Sequence, residues 1–283
     1  VTNFRGIYWE VERDTLIAIP LFIFMGIMLQ RSKVAEDLLV TMAQLFGPVP
    51  GGLGISVVFV GALLAATTGI VGATVVAMGL ISLPAMLRNN YSKPLATGTI
   101  CASGTLGQII PPSIVLIILA DQLSNAVDQA SSERRELYKA ATGETSMPSS
   151  LEIVSTSAGD MFLGAFIPGL LLVLLYMLYI FGSALLRPET APAVSVDGKI
   201  MTRPFLTKVG LSLIPPLLMI FAVLGSILMG IATVNQAGAI GAIGATLMAS
   251  YRLAEGRKDA FYPVILMATS ILLLTIIIMS GFN

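Results

Sequence analysis

Residues 57–122 read VVFVGALLAATTGIVGATVVAMGLISLPAMLRNNYSKPLATGTICASGTLGQIIPPSIVLIILADQ, and their reading decides the fold. The stretch is apolar enough for a membrane, yet Gly, Thr, Ser and Pro interrupt it in the middle of each apolar run. In lipid, a break in a helix is tolerated only where protein buries the freed backbone groups or they line a polar cavity. Interrupted segments occurring in pairs point to the binding site of a transporter. The first cluster is Thr67-Thr68-Gly69 with Gly72-Ala73-Thr74; the second holds Ser103, Thr105, Gln108, Pro111, Pro112 and Ser113.

Outward from there, Leu53 to Leu87 is a run of 35 residues without charge. One tilted helix uses about 25 residues and two full crossings need about 40 plus a turn. The run is therefore expected to fold as a re-entrant helical hairpin, 53–87, with its tip at 67–74. Arg88 to Lys93 form a polar loop, and 94–120 are uncharged again. A proline disfavours helical geometry at the residue before it. Pro111 and Pro112 thus make 94–120 a discontinuous helix broken at GQIIPPS.

Composition agrees with a membrane. The 283 residues are 55% hydrophobic and 11% charged, with mean hydropathy +0.89, against roughly 25% charged in soluble domains. Sixteen basic and sixteen acidic residues balance, so nothing points to a nucleic-acid partner. A single cysteine, Cys101, excludes an internal disulfide, and the absence of histidine removes Ser-His catalysis and His proton relays. No enzymatic dyad can be built on Ser103 or Ser113, and no enzyme activity is expected. The first residue is valine and the last follows an apolar run, which reads as a partial chain.

The expected class is an all-α polytopic membrane protein. Residues 1–50 hold a first span and an amphipathic interfacial helix at 34–46; 51–122 hold the hairpin and the broken helix. Residues 123–158 read as a polar loop, part of it (129–141) as a surface helix; 159–208 are a span and a basic linker; 209–283 are three spans, the first two turning near 230–233. Placing 31–50, 88–93, 187–208 and 252–259 on one side collects 11 of the 16 Lys and Arg there, and that side is expected to be cytoplasmic. The loop at 123–158 then faces out, with Arg134 and Arg135 as candidate contacts for a partner.

Hydroxyls and freed carbonyls suit a small hard cation, and half-helix N-termini suit a carboxylate. No Asp, Glu or His occurs in 38–87 or 94–120, so the coupling ion is expected to be Na⁺ rather than H⁺. The candidate ion ligands are Thr67, Thr68, Gly69, Gly72, Thr74, Ser103 and Thr105; the candidate substrate contacts are Gln108, Pro111, Pro112 and Ser113. Taken singly, such residues also serve close helix packing, and a non-transporting membrane scaffold remains the alternative. The Gly241-Ala242-Ile243-Gly244 spacing reads as packing.

The run from Gly72 to Gln122, together with PLFIFMGIMLQRS, GPVPGGLGIS, FIPGLLL and GIATVNQAGAIGAIGAT, resembles the large membrane subunit of tripartite ATP-independent periplasmic (TRAP) transporters. The resemblance implies an elevator-type, sodium-coupled importer of small organic acids such as dicarboxylates in the bacterial inner membrane, with no other cofactor. It also implies two partners, a small membrane subunit and a periplasmic substrate-binding protein. By the same resemblance, 67–74 and 103–113 contribute to a first sodium site, while a second hairpin and much of the substrate site lie outside this chain. The family's Thr-Pro-Thr-Glu-Ala appears here as Thr233-Val234-Asn235-Gln236-Ala237.

Overall fold

The computed structural model describes residues 14–144, 148, 156–194 and 203–253. Within them the protein is helical: α1 (Asp14–Arg31), α2 (Val34–Phe46), α3 (Gly52–Thr68), α4 (Val71–Arg88), α5 (Lys93–Thr105), α6 (Ile114–Thr142), α7 (Ala158–Leu186), α8 (Arg203–Leu228) and α9 (Val234–Leu253). The stretches Val71–Arg88, Ala158–Leu186 and Phe205–Leu228 are long and apolar enough to cross a membrane, and α1 and α2 pass the same test as a pair bent by 59°. The protein is thus multi-pass. The third span expected after residue 253 lies outside the described residues.

The chain turns where its punctuation allows. Lys33 adopts φ 62° at the α1–α2 bend, Gly69 adopts φ 59° between α3 and α4, and α8 turns into α9 across residues 229–233. Between lipid-solvated helices the hydrophobic drive is weak, so close packing and polar links hold the bundle. Ser56 Oγ donates to the Met42 carbonyl at 2.9 Å and ties α3 to α2. Leu38, Leu39 and Met42 from α2 join Val57, Val60, Met78, Met86 and Ile100 in one buried cluster. A second cluster joins Phe22, Met25 and Leu29 of α1 to Phe162, Val223, Leu224 and Ala245. Gly241 and Gly244 face Met25 and Met219, so their spacing serves packing. An Arg252–Asp37 ion pair closes α9 onto α2.

Two segments depart from the reading of the sequence. The polar stretch after Asp121 does not open a loop: α6 continues without a break to Thr142 and stops at Gly143, φ 75°. Loss of apolar character marks the end of the apolar environment there, not the end of the helix. The first part of the basic linker is a structural clasp. Gly51 N–H donates to the Ala191 carbonyl, Ser92 N–H to Thr190 and Val194 N–H to the Gly47 carbonyl, and Ala191 is fully buried. The same corner buries Tyr91, whose hydroxyl accepts from Gly54 N–H at 3.4 Å. Burial pushes this phenol above its ordinary range, and the Gly54 contact partly offsets that. The base of the hairpin is therefore anchored, and its tip lies at the opposite end.

Candidate functional site

The hairpin α3–α4 and the broken helix α5–α6 meet at their breaks. After α5 the chain makes a 3-10 turn, Leu106–Gln108, then bends through residues 109–112 and extends at Ser113, where α6 begins. Gln108 reaches across 39 residues of sequence: its Nε2 donates to the Gly69 carbonyl at 3.0 Å. Ser113 Oγ donates to the Gln108 carbonyl at 2.8 Å and caps α6 by accepting from Leu116 N–H. Gly69, Gln108 and Ser113 form one chain of hydrogen bonds through the two breaks. Ile114 closes over Gly69, where a β-carbon would stand 3.1 Å from Ile114 Cγ1.

Small residues set the approach. At Gly61 a β-carbon would lie 2.6 Å from Ser103 Cβ, so α5 rests against α3 without a side chain between them. At Gly104 it would lie 2.3 Å from Val75 Cγ2 and 3.0 Å from Val75 Cα. Helix α5 is thereby pressed on both arms of the hairpin.

The structure brings some candidate residues together and leaves others apart. Thr67, Gly69, Thr74, Ser103, Pro111, Pro112 and Ser113 are buried, and Gln108 is half-buried. Gly72 and Thr105 are exposed. The side chain of Thr68 lies outside the described residues. Thr67 Oγ1 donates to Leu64 O, Thr74 Oγ1 to Ile70 O, Ser103 Oγ to Ile100 O and Thr105 Oγ1 to Ala102 O, at 2.8–2.9 Å. A hydroxyl that has given its proton away keeps lone pairs for a donor or a cation. The acceptor on Gly69 orients the Gln108 amide, which leaves Gln108 Oε1 buried with no hydrogen-bond partner. Carbonyl-bearing helix ends (α3 and the 3-10 turn) and N-termini (α4 and α6) converge here, so both polarities of helix dipole are present. Arg134 and Arg135 are exposed on α6, about 30 Å along the helix from Ser113 at 1.5 Å per residue.

A second polar feature was not singled out from the sequence. Asp121, Ser124 and Asn125 of α6, Ser157 at the start of α7, and Thr233 and Asn235 at the start of α9 line a cavity of about 360 Å³. Thr233 N–H donates to Gln236 Oε1 at 2.9 Å while Gln236 N–H donates to Thr233 Oγ1 at 3.4 Å. This is a capping box, and the Thr-x-x-Gln spacing is its sequence signal. Gln236 is thus held in a cap, while Asn235 lines the cavity.

A family model described as tripartite ATP-independent periplasmic transporter, DctM component, matches residues 4–132 and 146–281. The chain is 32% identical over 240 residues to the C4-dicarboxylate TRAP transporter large permease protein DctM of Pseudomonas aeruginosa, covering 85% of this chain and 48% of that protein. It is 32% identical over 242 residues to the protein of the same description from Vibrio cholerae, covering 84% and 44%. It is 24% identical over 273 residues to the isethionate TRAP transporter permease protein DctMQ of Oleidesulfovibrio alaskensis, covering 96% and 37%. The chain spans about half the length, or less, of these curated relatives.

Proposed function

Because the chain belongs to the DctM component family of tripartite ATP-independent periplasmic transporters, we propose that it is the part of a large permease subunit that binds the coupling ion. The whole subunit imports a small organic acid across the bacterial inner membrane. Relatives named for C4-dicarboxylate, isethionate and ectoine support a small solute that bears an acid group. The observation that carries the ion assignment is the crossing of the two breaks. Gln108 Oε1 is buried there without a partner, and no Asp, Glu or His occurs in 38–87 or 94–120. A neutral oxygen set of this kind fits Na⁺, and Thr67, Gly69, Ser103 and Gln108 are the buried or half-buried candidates for it. The N-terminus of α6 at Ser113 faces the substrate carboxylate in this reading. Residues 51–122 move as one body in an elevator, which the close α3–α5 and α4–α5 packing supports.

The full-length subunit, with its small membrane partner and periplasmic binding protein, provides the test in proteoliposomes. Dicarboxylate uptake is expected to collapse when the Na⁺ gradient is replaced by K⁺. Equal uptake in K⁺ would remove the ion assignment, and no uptake in either would favour a scaffold.

Orientation follows from the charge count. In a Cys101→Ser background, Ser132→Cys on α6 is expected to react with an impermeant thiol reagent from the periplasm, and Asn90→Cys only from the cytoplasm. The reverse pattern would invert the topology. The outer half of α6 is then a rigid strut leading from the ion site to the periplasmic face, where the binding protein must dock. Arg134→Glu with Arg135→Glu should raise the half-saturating concentration of binding protein about tenfold, equivalent to about 1.4 kcal/mol. An unchanged value would place docking elsewhere.

A further inference from the structure

Helices α5 and α7 bound a groove of about 810 Å³ that the ion crossing does not use. Val58, Leu95, Leu172, Leu175 and Ile180 give it apolar walls. One end is polar: Ser92, Arg187 and Thr190 lie there, held together by the Ser92 N–H to Thr190 carbonyl bond of 2.9 Å. Two features separate this groove from a mere gap between helices.

The first is Thr99, which lines the groove and is 5% exposed, yet its Oγ1 is buried without a hydrogen-bond partner. Its neighbours on α5 behave differently. Thr97, Ser103 and Thr105 all donate to a carbonyl of their own helix. A buried hydroxyl left unbonded is an unmet donor, and a turn about χ1 would carry it from its closed position into the groove that Thr99 lines. The second is charge. Arg187 is exposed at the polar end and has no carboxylate partner among the described residues. Arg88 and Lys93, at either end of the neighbouring α4–α5 loop, add two cations against Glu189.

The groove also opens sideways. Leu175 is 51% and Tyr179 68% exposed on its α7 wall, on a helix that is apolar all round. An occupant can therefore enter from the bilayer. Basic pockets between transmembrane helices on the cytoplasmic side attract anionic headgroups.

We propose that this groove binds an anionic phospholipid. The phosphate pairs with the Arg187 guanidinium, which suits a bidentate oxyanion. An ester carbonyl accepts from the Thr99 hydroxyl once that hydroxyl has turned into the groove, about 10 Å deeper along α5 from Ser92. One acyl chain lies along Leu95, Leu172 and Leu175. The site is independent of the ion assignment, because it shares none of its candidate residues.

The test uses the full-length subunit, delipidated in mild detergent and offered palmitoyl-oleoyl phosphatidylglycerol, the matching phosphatidylcholine, or inorganic phosphate. Retained lipid is read by native mass spectrometry and thermal unfolding. Phosphatidylglycerol is expected to be retained about tenfold better than phosphatidylcholine, a difference of about 1.4 kcal/mol. Arg187→Gln should abolish that preference. Gly98→Leu should exclude the acyl chain without disturbing the helix, since a β-carbon at Gly98 meets nothing within 4 Å. Equal retention of the two lipids, or parental retention by both variants, overturns the proposal. So does stabilisation by inorganic phosphate alone, or a segment of the full-length protein found filling the groove.

Discussion

Gly104→Ala is expected to lower the stability of the subunit by about 1–2 kcal/mol, although alanine is the better helix former. The propensity gain is at most about 1 kcal/mol. Against it stands a β-carbon placed 2.3 Å from Val75 Cγ2, 3.0 Å from Val75 Cα and 3.1 Å from Val75 N. Two of those atoms are backbone and cannot rotate away, and valine has one strongly preferred rotamer in a helix. Helices α4 and α5 must therefore separate, at an overpacking cost of about 1–3 kcal/mol or more. Adding Val75→Ala should recover part of the loss, because it removes the shortest contact but leaves the backbone ones. Gly98→Ala is the control: with open space around it, propensity alone should act and stability should rise. Thermal unfolding in detergent measures all four. A Gly104→Ala protein that melts with the parent would mean that the hairpin and the broken helix do not pack as closely as the structure has them.

The breaks were legible in the sequence because Gly and Pro act locally. Pro111-Pro112 ended α5, and the 67–74 cluster located the turn between α3 and α4 to within a few residues. The α8–α9 turn followed from run length alone. What was not legible depends on contacts distant in sequence. Nothing in the composition of 187–194 announces that Thr190 and Ala191 accept hydrogen bonds from Ser92 and Gly51 at the base of the hairpin. A surface helix was expected at 129–141 and is present; its continuity with the helix before Asp121 was hidden by reading the polarity of 121–128 as irregularity. Residues 130–142 are polar but rich in Ala, Glu, Arg, Leu and Lys, which sustain a helix in water until Gly143 ends it. At the candidate site the residue types were visible and their partners were not. Gln108 stood among the candidate substrate contacts, and the structure adds a partner in the other break: its amide nitrogen donates to the Gly69 carbonyl.

That commitment makes Gln108→Met the variant with the largest expected effect on transport. Methionine keeps the length and much of the volume of glutamine, so packing around Leu106 and Ile110 changes little. It removes the donor to Gly69 O, leaving a carbonyl at a buried glycine without its partner, a loss of about 1–3 kcal/mol. It also removes Oε1, the buried acceptor that has no protein donor. The two losses are separable in the uptake assay. A purely structural role lowers the unfolding temperature and scales uptake down equally at every Na⁺ concentration. An ion-binding role moves the Na⁺ concentration for half-maximal uptake, by about tenfold or more, since one ligand to a hard cation is worth at least the 1.4 kcal/mol that tenfold represents. Thr67→Val and Ser103→Ala should move it in the same direction by less, because each leaves the Gln108–Gly69 link intact. Gln108→Met retaining the parental half-maximal Na⁺ concentration, with reduced uptake throughout, would make the crossing a hinge clamp and send the ion site to other residues.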